Sequence, residues 1–402
     1  MKLESLSLAY CGGFEQLDIA FEPDVTLIAG VNGVGKSTLL RALGVVLSRT
    51  QRRIGVTKSR PMSLRQDDIF IGAEQAQLAA AMDFDGRKVR AEFSQRSNQR
   101  ATKKFDLFGA APEHTTSSCL AVYFSPKRQL PGQPRTLPEA KPFDPSIAYD
   151  RALHDREVEL REFMHWFRTQ EKLGGASEPR RLRVLDALRA VVSELVPEFS
   201  NLCIRDQPRL GFVVDKRGQS FYLHQLSDGE RGLLALVFDL TRRLAIANPD
   251  SDNPIAEGVA LVLIDEIELH LHPKWQRDVI KRLPRIFKSC QFVITTHSPQ
   301  VIGETEARSV RLLSWRDGKV VVDTPAMAYG TDSNWILNVL MGADEMNVEV
   351  ESKLENAYRL ISERNMDGAK ELIRTLRSDV KGNTDAIQRL GSMIERIERL
   401  GK

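Results

Sequence analysis

The feature that most narrows what this chain can fold into is a run of nine residues, Gly30-Val31-Asn32-Gly33-Val34-Gly35-Lys36-Ser37-Thr38. It matches G-x-x-x-x-G-K-[ST] and stands between an apolar run, Val25 to Ala29, and a segment with helical spacing at Leu39, Leu40, Leu43, Val46 and Leu47. A buried strand therefore feeds a glycine-rich turn and then a helix, which is the context a phosphate-binding loop requires. Glycines let backbone N–H groups close around phosphates, and the helix N-terminus adds the positive end of its dipole. Lys36 reaches the β/γ oxygens and Ser37 ligates Mg²⁺. Gly30, Asn32, Gly33, Gly35, Lys36, Ser37 and Thr38 are the candidate ATP-phosphate residues.

A second apolar run, Val259 to Ile264, ends in Asp265-Glu266 and delivers two carboxylates to the ligand edge of a parallel sheet. Asp265 is suited to hold Mg²⁺ through water, and Glu266 to polarise the attacking water. Two further pieces fall in order around this pair. Leu226-Ser227-Asp228-Gly229-Glu230 opens an apolar-rich helix from Gly229 to Ile246, and Thr295-Thr296-His297-Ser298 ends the apolar run Phe292 to Thr296.

At 402 residues the chain has room for about two to three domains, or for one large domain carrying an insertion. Leu6 and Leu8, then Leu17, Ile19 and Phe21, alternate about Gly12-Gly13 as two strands, Asp85-Gly86 marks a hairpin, and residues 120–124 read as a strand. The proline-rich stretch from Leu130 to Pro145 is a surface connection, and Tyr149 to Lys172 and Arg180 to Val196 have helical periodicity. Phe212 to Asp215 and Ser220 to Leu223 can pair as strands. Near the end, Ala369, Leu372, Ile373, Leu376 and Val380 repeat at helical spacing, and Ile387, Leu390, Ile394 and Ile397 form an a/d seam open to a partner. The expected division is 1–130, 131–200 as a helical insertion, 201–330, and 331–402 as a helical interaction region.

The signature Leu226 to Glu230 resembles LSGGQ of the ATP-binding cassette superfamily, and His297 resembles that superfamily's switch histidine. The wording DEIELHLHPKWQ and LSDGERGLL is similar to the stand-alone soluble branch related to SMC, RecF and the OLD ATPases. More narrowly, it resembles virulence-associated ATP-binding proteins and the PtuA ATPases of Septu and retron anti-phage systems. The fold this implies is α/β, an ABC-type ATPase head: a P-loop NTPase with a mixed sheet and an antiparallel β lobe, a helical insertion and a C-terminal helical region. The resemblance also implies ATP and Mg²⁺ as ligands, with Lys36, Glu266 and His297 catalytic. Ser227, Gly229 and Glu230 would meet the nucleotide of a second protomer, so hydrolysis would need a dimer or a higher oligomer. A Mg²⁺-sensing glutamine is expected after a strand of the first lobe, with Gln129 the candidate and Gln66 the weaker one. Phe14 reads as core or as an adenine platform.

On this resemblance the chain regulates a separate effector, a nuclease, through its C-terminal helices; the alternative is a DNA-repair ATPase of SMC or RecF type. A transporter subunit would need a membrane partner, and the loop Ile267 to Pro273 departs from the transporter form. Net charge is only +3, yet Arg87 to Lys104 holds seven Lys/Arg against one Glu, a place where nucleic acid could sit. No apolar run approaches the roughly 20 residues of a membrane span, and the N-terminus has no signal-type apolar region, so a cytoplasmic address is expected. Four cysteines without CxxC spacing suit reduced thiols.

Overall fold

Alternation in the first twenty residues produces β1 (Lys2–Cys11) and β2 (Phe14–Ala20), antiparallel, with Leu6 opposite Ile19 and Leu8 opposite Leu17. The chain then enters β3 (Val25–Gly30), buried along its whole length, and α1 (Lys36–Arg53). It returns through β4 (Gln75–Phe84), β5 (Arg87–Arg96) and β6 (Lys103–Gly109). Asp85 and Gly86 both take positive φ (53° and 86°), the two-residue turn whose twist matches the strands it joins. The result is a five-stranded antiparallel sheet in the order β2-β1-β4-β5-β6. The computed structural model describes residues 1–97, 103–109, 120–128, 130, 132, 134–174, 178–342, 348–379 and 385–400.

After β7 (Leu120–Phe124) come α2 (Leu160–Leu173), α3 (Pro179–Leu195) and a three-stranded sheet in the order β10-β9-β8, built from β8 (Phe199–Arg205), β9 (Gly211–Lys216) and β10 (Gln219–Tyr222). The helix expected from Tyr149 is instead a 3₁₀ turn, Pro145–Tyr149, and an irregular stretch before Leu160. The reason is long-range. Carbonyls of Ala148 and Asp150, which a helix would use internally, accept from the buried guanidinium of Arg243 at 2.5 and 3.1 Å.

Arg243 belongs to α4 (Asp228–Ala247), the helix opened by the signature. Its Phe238 stacks on Phe163 of α2 at 4.1 Å between centroids, and Phe163 stacks on Phe212 of β9 at 5.3 Å, so one aromatic cluster joins the insertion, the small sheet and α4. The remaining elements are α5 (Pro254–Glu257), β11 (Ala260–Ile264), α6 (Pro273–Ile286), β12 (Gln291–Thr296), α7 (Pro299–Ile302), β13 (Val310–Arg316), β14 (Lys319–Asp323) and α8 (Ser333–Trp335). The central sheet runs β14-β13-β3-β12-β11-β7, parallel except for its edge strand β14. β11 and β12 are buried throughout, which is why they read as continuous apolar runs.

Residues 1–336 form one compact unit and 337–402 a second. The second holds α9 (Val348–Ser362), α10 (Met366–Asp379) and α11 (Asp385–Leu400). The seam expected to face a partner does not. Ile387, Leu390 and Ile394 are buried against Leu354, Ala357, Ile361, Ala369, Ile373 and Leu376 of the same unit, because three short amphipathic helices satisfy one another's apolar faces. Val380 lies outside the described residues. Among the described residues no helix is long and apolar enough to cross a membrane.

Candidate functional site

Adjacent strands β3, β12, β11 and β7 run parallel in a register that sets Ala29 beside Thr296, and Ile294 and Phe124 beside Ile264. Their carboxyl ends therefore lie side by side, and the loops that leave them carry the sequence motifs. The loop after β3 turns on Gly30, Gly33 and Gly35, all with positive φ (151°, 81° and 104°). At Gly35 a side chain would also collide with the Phe14 ring, 2.4 Å from where a Cβ would stand. Phe14 is buried, so it is a core residue beneath the loop and not an adenine platform. α1 starts with Gly35 at its N-cap, without a side-chain cap and without an acidic residue in its first turn. Its first N–H groups and dipole are thus available to an anion, while Asn32 and Gly33 stand exposed and Ser37 and Thr38 half-buried. Lys36 Nζ donates to Gly30 O at 2.7 Å and Val31 O at 2.9 Å, folded over the loop it serves. Burial pushes its ammonium below the ordinary lysine range, against the opposing pull of Glu268, Glu266 and Asp265.

Asp265 follows β11. Its Oδ1 accepts from Thr295 Oγ1 at 2.5 Å and its Oδ2 from the Tyr123 hydroxyl at 3.3 Å. Burial, and then the Asp265 charge, push the Tyr123 phenol well above its usual range, which keeps it a donor. Glu266 has φ 47°, a left-handed backbone rare outside glycine, and its N–H donates to Thr295 Oγ1 at 2.9 Å. Among the described residues its carboxylate has no hydrogen-bond partner. Carboxylates within electrostatic reach of Lys36, together with the Ser37 hydroxyl and an uncapped helix N-terminus, make a donor set that fits a magnesium nucleotide.

Two residues that the sequence reading did not single out organise this edge. Glu268 is buried, and its carboxylate accepts from the Thr296 hydroxyl at 2.8 Å and the His297 N–H at 2.6 Å. His297 Nδ1 lies 2.9 Å from the same carboxylate oxygen but makes no hydrogen bond among the described residues, and its side chain is 41% exposed, so Glu268 holds the residue by its backbone N–H. Arg128, also buried, points its guanidinium at the backbone of residues 265–267. Burial pushes it down to about 10. An acidic residue two places after Glu266, and an arginine in the segment suspected of holding Gln129, were the only hints available in the sequence. Gln129 lies outside the described residues, and Gln66 sits exposed on a 3₁₀ turn, Gln66–Asp68.

The signature residues sit at the start of α4. Ser227 is its N-cap, in a capping box with Glu230: Ser227 N–H donates to Glu230 Oε2 at 2.9 Å and Ser227 Oγ to the same oxygen at 2.8 Å. Glu230 is buried and also accepts from Lys216 Nζ at 2.6 Å. Burial raises the Glu230 carboxyl, but Lys216 and Ser227 together outweigh it and hold the group below its ordinary range. Glu230 is thereby engaged within its own chain, whereas Ser227 is exposed. A Cβ on Gly229 would lie 2.2 Å from His270 O, so only glycine lets α4 approach the loop that follows the carboxylates.

In the basic arm Lys88 pairs with Glu4 and Asp83, Arg90 with Glu92, and Lys104 with Asp106, whereas Arg87, Arg96 and Lys103 have no carboxylate ion pair among the described residues. A further group of unpaired cations lies outside the arm. Residues 49–65 carry six Lys/Arg and no acid, and none of the six has a carboxylate ion pair among the described residues. Arg49 and Lys103 both donate to Ser63 Oγ, at 2.9 and 3.0 Å.

The family described as "AAA domain, putative AbiEii toxin, Type IV TA system" matches residues 25–303. The "Retron Ec83 probable ATPase" of Escherichia coli is 26% identical over 418 aligned residues, covering 85% of this chain and 76% of that protein. The "Septu protein PtuA" of Bacillus thuringiensis is 22% identical, covering 85% of each chain. Among solved structures, an SMC head bound to the C-terminal winged-helix domain of ScpA superposes with a TM-score of 0.50 at 17% identity, covering 81% of this chain and 98% of that one.

Proposed function

Since the chain belongs to this AAA domain family and is an ATPase of the ABC/SMC type, we propose that it clamps ATP between two protomers and by that cycle controls a separate effector, a nuclease, in an anti-phage system. The observation that carries the reading is the convergence of Lys36, Asp265, Glu266 and His297 on adjacent strand ends, while Ser227 stands exposed at the end of a helix outside that sheet. Phosphates are received by the loop amides of residues 30–38 and by Lys36. Ser37 and Asp265 are the residues that would hold Mg²⁺, which when bound would supply charge neutralisation. Glu266 takes the proton of the attacking water, and His297, its backbone N–H held by Glu268, faces the γ-phosphate. Ser227 and the Gly229 amide of the second protomer complete the site. The γ-phosphate is then the group that distinguishes closed from open heads. The names of the retron and Septu relatives support the defence setting, and the C-terminal unit is the proposed dock, by a face other than its internal seam.

Mixing two inactive variants tests the composite site. Lys36→Ala takes away the ammonium that meets the phosphates and Ser227→Arg blocks the signature surface, so each homodimer is expected to be inactive. A mixed dimer keeps one intact site, and phosphate release should return on mixing. A mixture as inert as its components would exclude sites shared between protomers.

The basic surface of residues 49–65 favours a second reading, in which the head acts on DNA. Reversing Arg52 and Arg60 to Glu would then weaken DNA binding and flatten its salt dependence by about 0.9 for each DNA phosphate that is no longer neutralised. Titration of labelled duplex over a range of salt checks it, and affinity unchanged by the reversal would remove this surface.

A further inference from the structure

Three successive carbonyls, those of Asp265, Glu266 and Ile267, accept from one guanidinium. Arg128 Nη1 donates to Asp265 O at 2.5 Å, and Nη2 donates to Glu266 O at 2.6 Å and Ile267 O at 3.2 Å. The Arg128 backbone is anchored in turn, its N–H donating to Ser125 O at 3.1 Å. Burying a guanidinium is unfavourable unless its fixed fork of donors is used, and here it is used on backbone alone. That arrangement matters because of the peptide it holds. Glu266 has a positive φ that side chains other than glycine rarely adopt, and such a conformation persists only where its surroundings over-determine it. The N–H of Glu266 is fixed by Thr295 Oγ1, and its carbonyl by Arg128.

We propose that Arg128 is a positioning residue for ATP hydrolysis: by gripping the carbonyls of residues 265–267 it locks the Glu266 backbone in the left-handed conformation that aims its carboxylate at the attacking water. The inference rests on the reading of Glu266 as the group that activates water. Among the described residues the Arg128 guanidinium hydrogen-bonds backbone carbonyls alone, so its action is through the turn. Lysine keeps the charge but cannot span three carbonyls, so Arg128→Lys loosens the turn without emptying the site.

The test uses the full chain, with Arg128→Lys made in the wild type and in a Glu266→Gln background. Single-turnover hydrolysis, nucleotide affinity and melting temperature are measured for all four proteins. Arg128→Lys is expected to lower the hydrolysis rate about 100-fold in the wild type, the scale of an ångström-sized misplacement, with nucleotide affinity near that of the parent. In the Glu266→Gln background the same change should leave the residual rate where it was, because no carboxylate remains to be misplaced. Melting temperature should fall equally in both backgrounds, which separates positioning from stability. An equal rate loss in both backgrounds, or a loss that follows nucleotide affinity, overturns the proposal while leaving Glu266 in place. A Glu266→Gln protein as fast as wild type overturns both.

Discussion

Glu266→Gln is expected to slow ATP hydrolysis by about 10²–10⁴-fold, the usual contribution of a general base, while nucleotide binding survives. The amide has the shape of the carboxylate, so the turn held by Thr295 and Arg128 is kept. What disappears is the capacity to take a proton. Among the described residues the Glu266 carboxylate has no hydrogen-bond partner, so the substitution strands no buried group. The phosphate loop and Lys36 are unaltered, and on the proposed clamp the γ-phosphate would still hold two heads together. ATP-bound dimers should therefore accumulate. Phosphate release measured beside the mass of the complex in ATP and in ADP checks both halves. An unchanged rate would remove Glu266 from the mechanism, and a slow variant that stays monomeric in ATP would remove the clamp.

The largest expected effect on stability lies away from the nucleotide. Asp239 on α4 is buried and accepts from Arg156 at 2.6 Å, Arg243 at 2.8 Å and Arg242 at 3.1 Å; Arg242 is also paired with Glu162. Burial alone would raise the Asp239 carboxyl, but Arg243, Arg156 and Arg242 outweigh it and hold the group far below the carboxylate range. Removing this carboxylate leaves buried guanidiniums facing one another, and Asp239→Ala is expected to cost about 3–5 kcal/mol. The sign with pH follows from the depressed pKa. The stabilisation is complete above the unfolded carboxyl's value near 4 and is lost progressively as pH falls below it towards the folded value. Unfolding followed between pH 7 and pH 3 should show the wild type converging on the variant in acid. A constant gap between them would mean that Asp239 is not the titrating group.

The site was legible where chemistry needs a fixed spacing, and obscure where it needs a fixed place. Gly30 to Thr38, Asp265-Glu266, Ser227 and His297 announce themselves because each is a loop or strand end bound to an apolar run, and the runs fixed the parallel sheet as well. Glu268 and Arg128 carry no such pattern. Their partners, the Thr296 hydroxyl and the His297 N–H for Glu268 and the carbonyls of residues 265–267 for Arg128, are reached only after β7, β11 and β12 lie side by side. The same limit explains the missing helix after Tyr149, where a guanidinium more than ninety residues away takes the carbonyls. β13 and β14 were recoverable in principle, since Asp317-Gly318 between apolar runs marks a hairpin. The C-terminal seam shows the opposite error: an apolar stripe says that something covers it, not what does.

α4 carries Ser227 at one end and, about three turns on, the carboxylate shared with Arg156 of the segment that follows the 3₁₀ turn. That carboxylate also orients Arg243, whose guanidinium grips the carbonyls of Ala148 and Asp150. The helix and the stretch from Ala148 to Arg156 are therefore one mechanical part. On the proposed clamp, any swing of the signature towards a bound nucleotide would have to carry that stretch with it or tear open a buried ionic cluster, so the segment from Ala148 to Arg156 would act as a pointer that registers the signature's position.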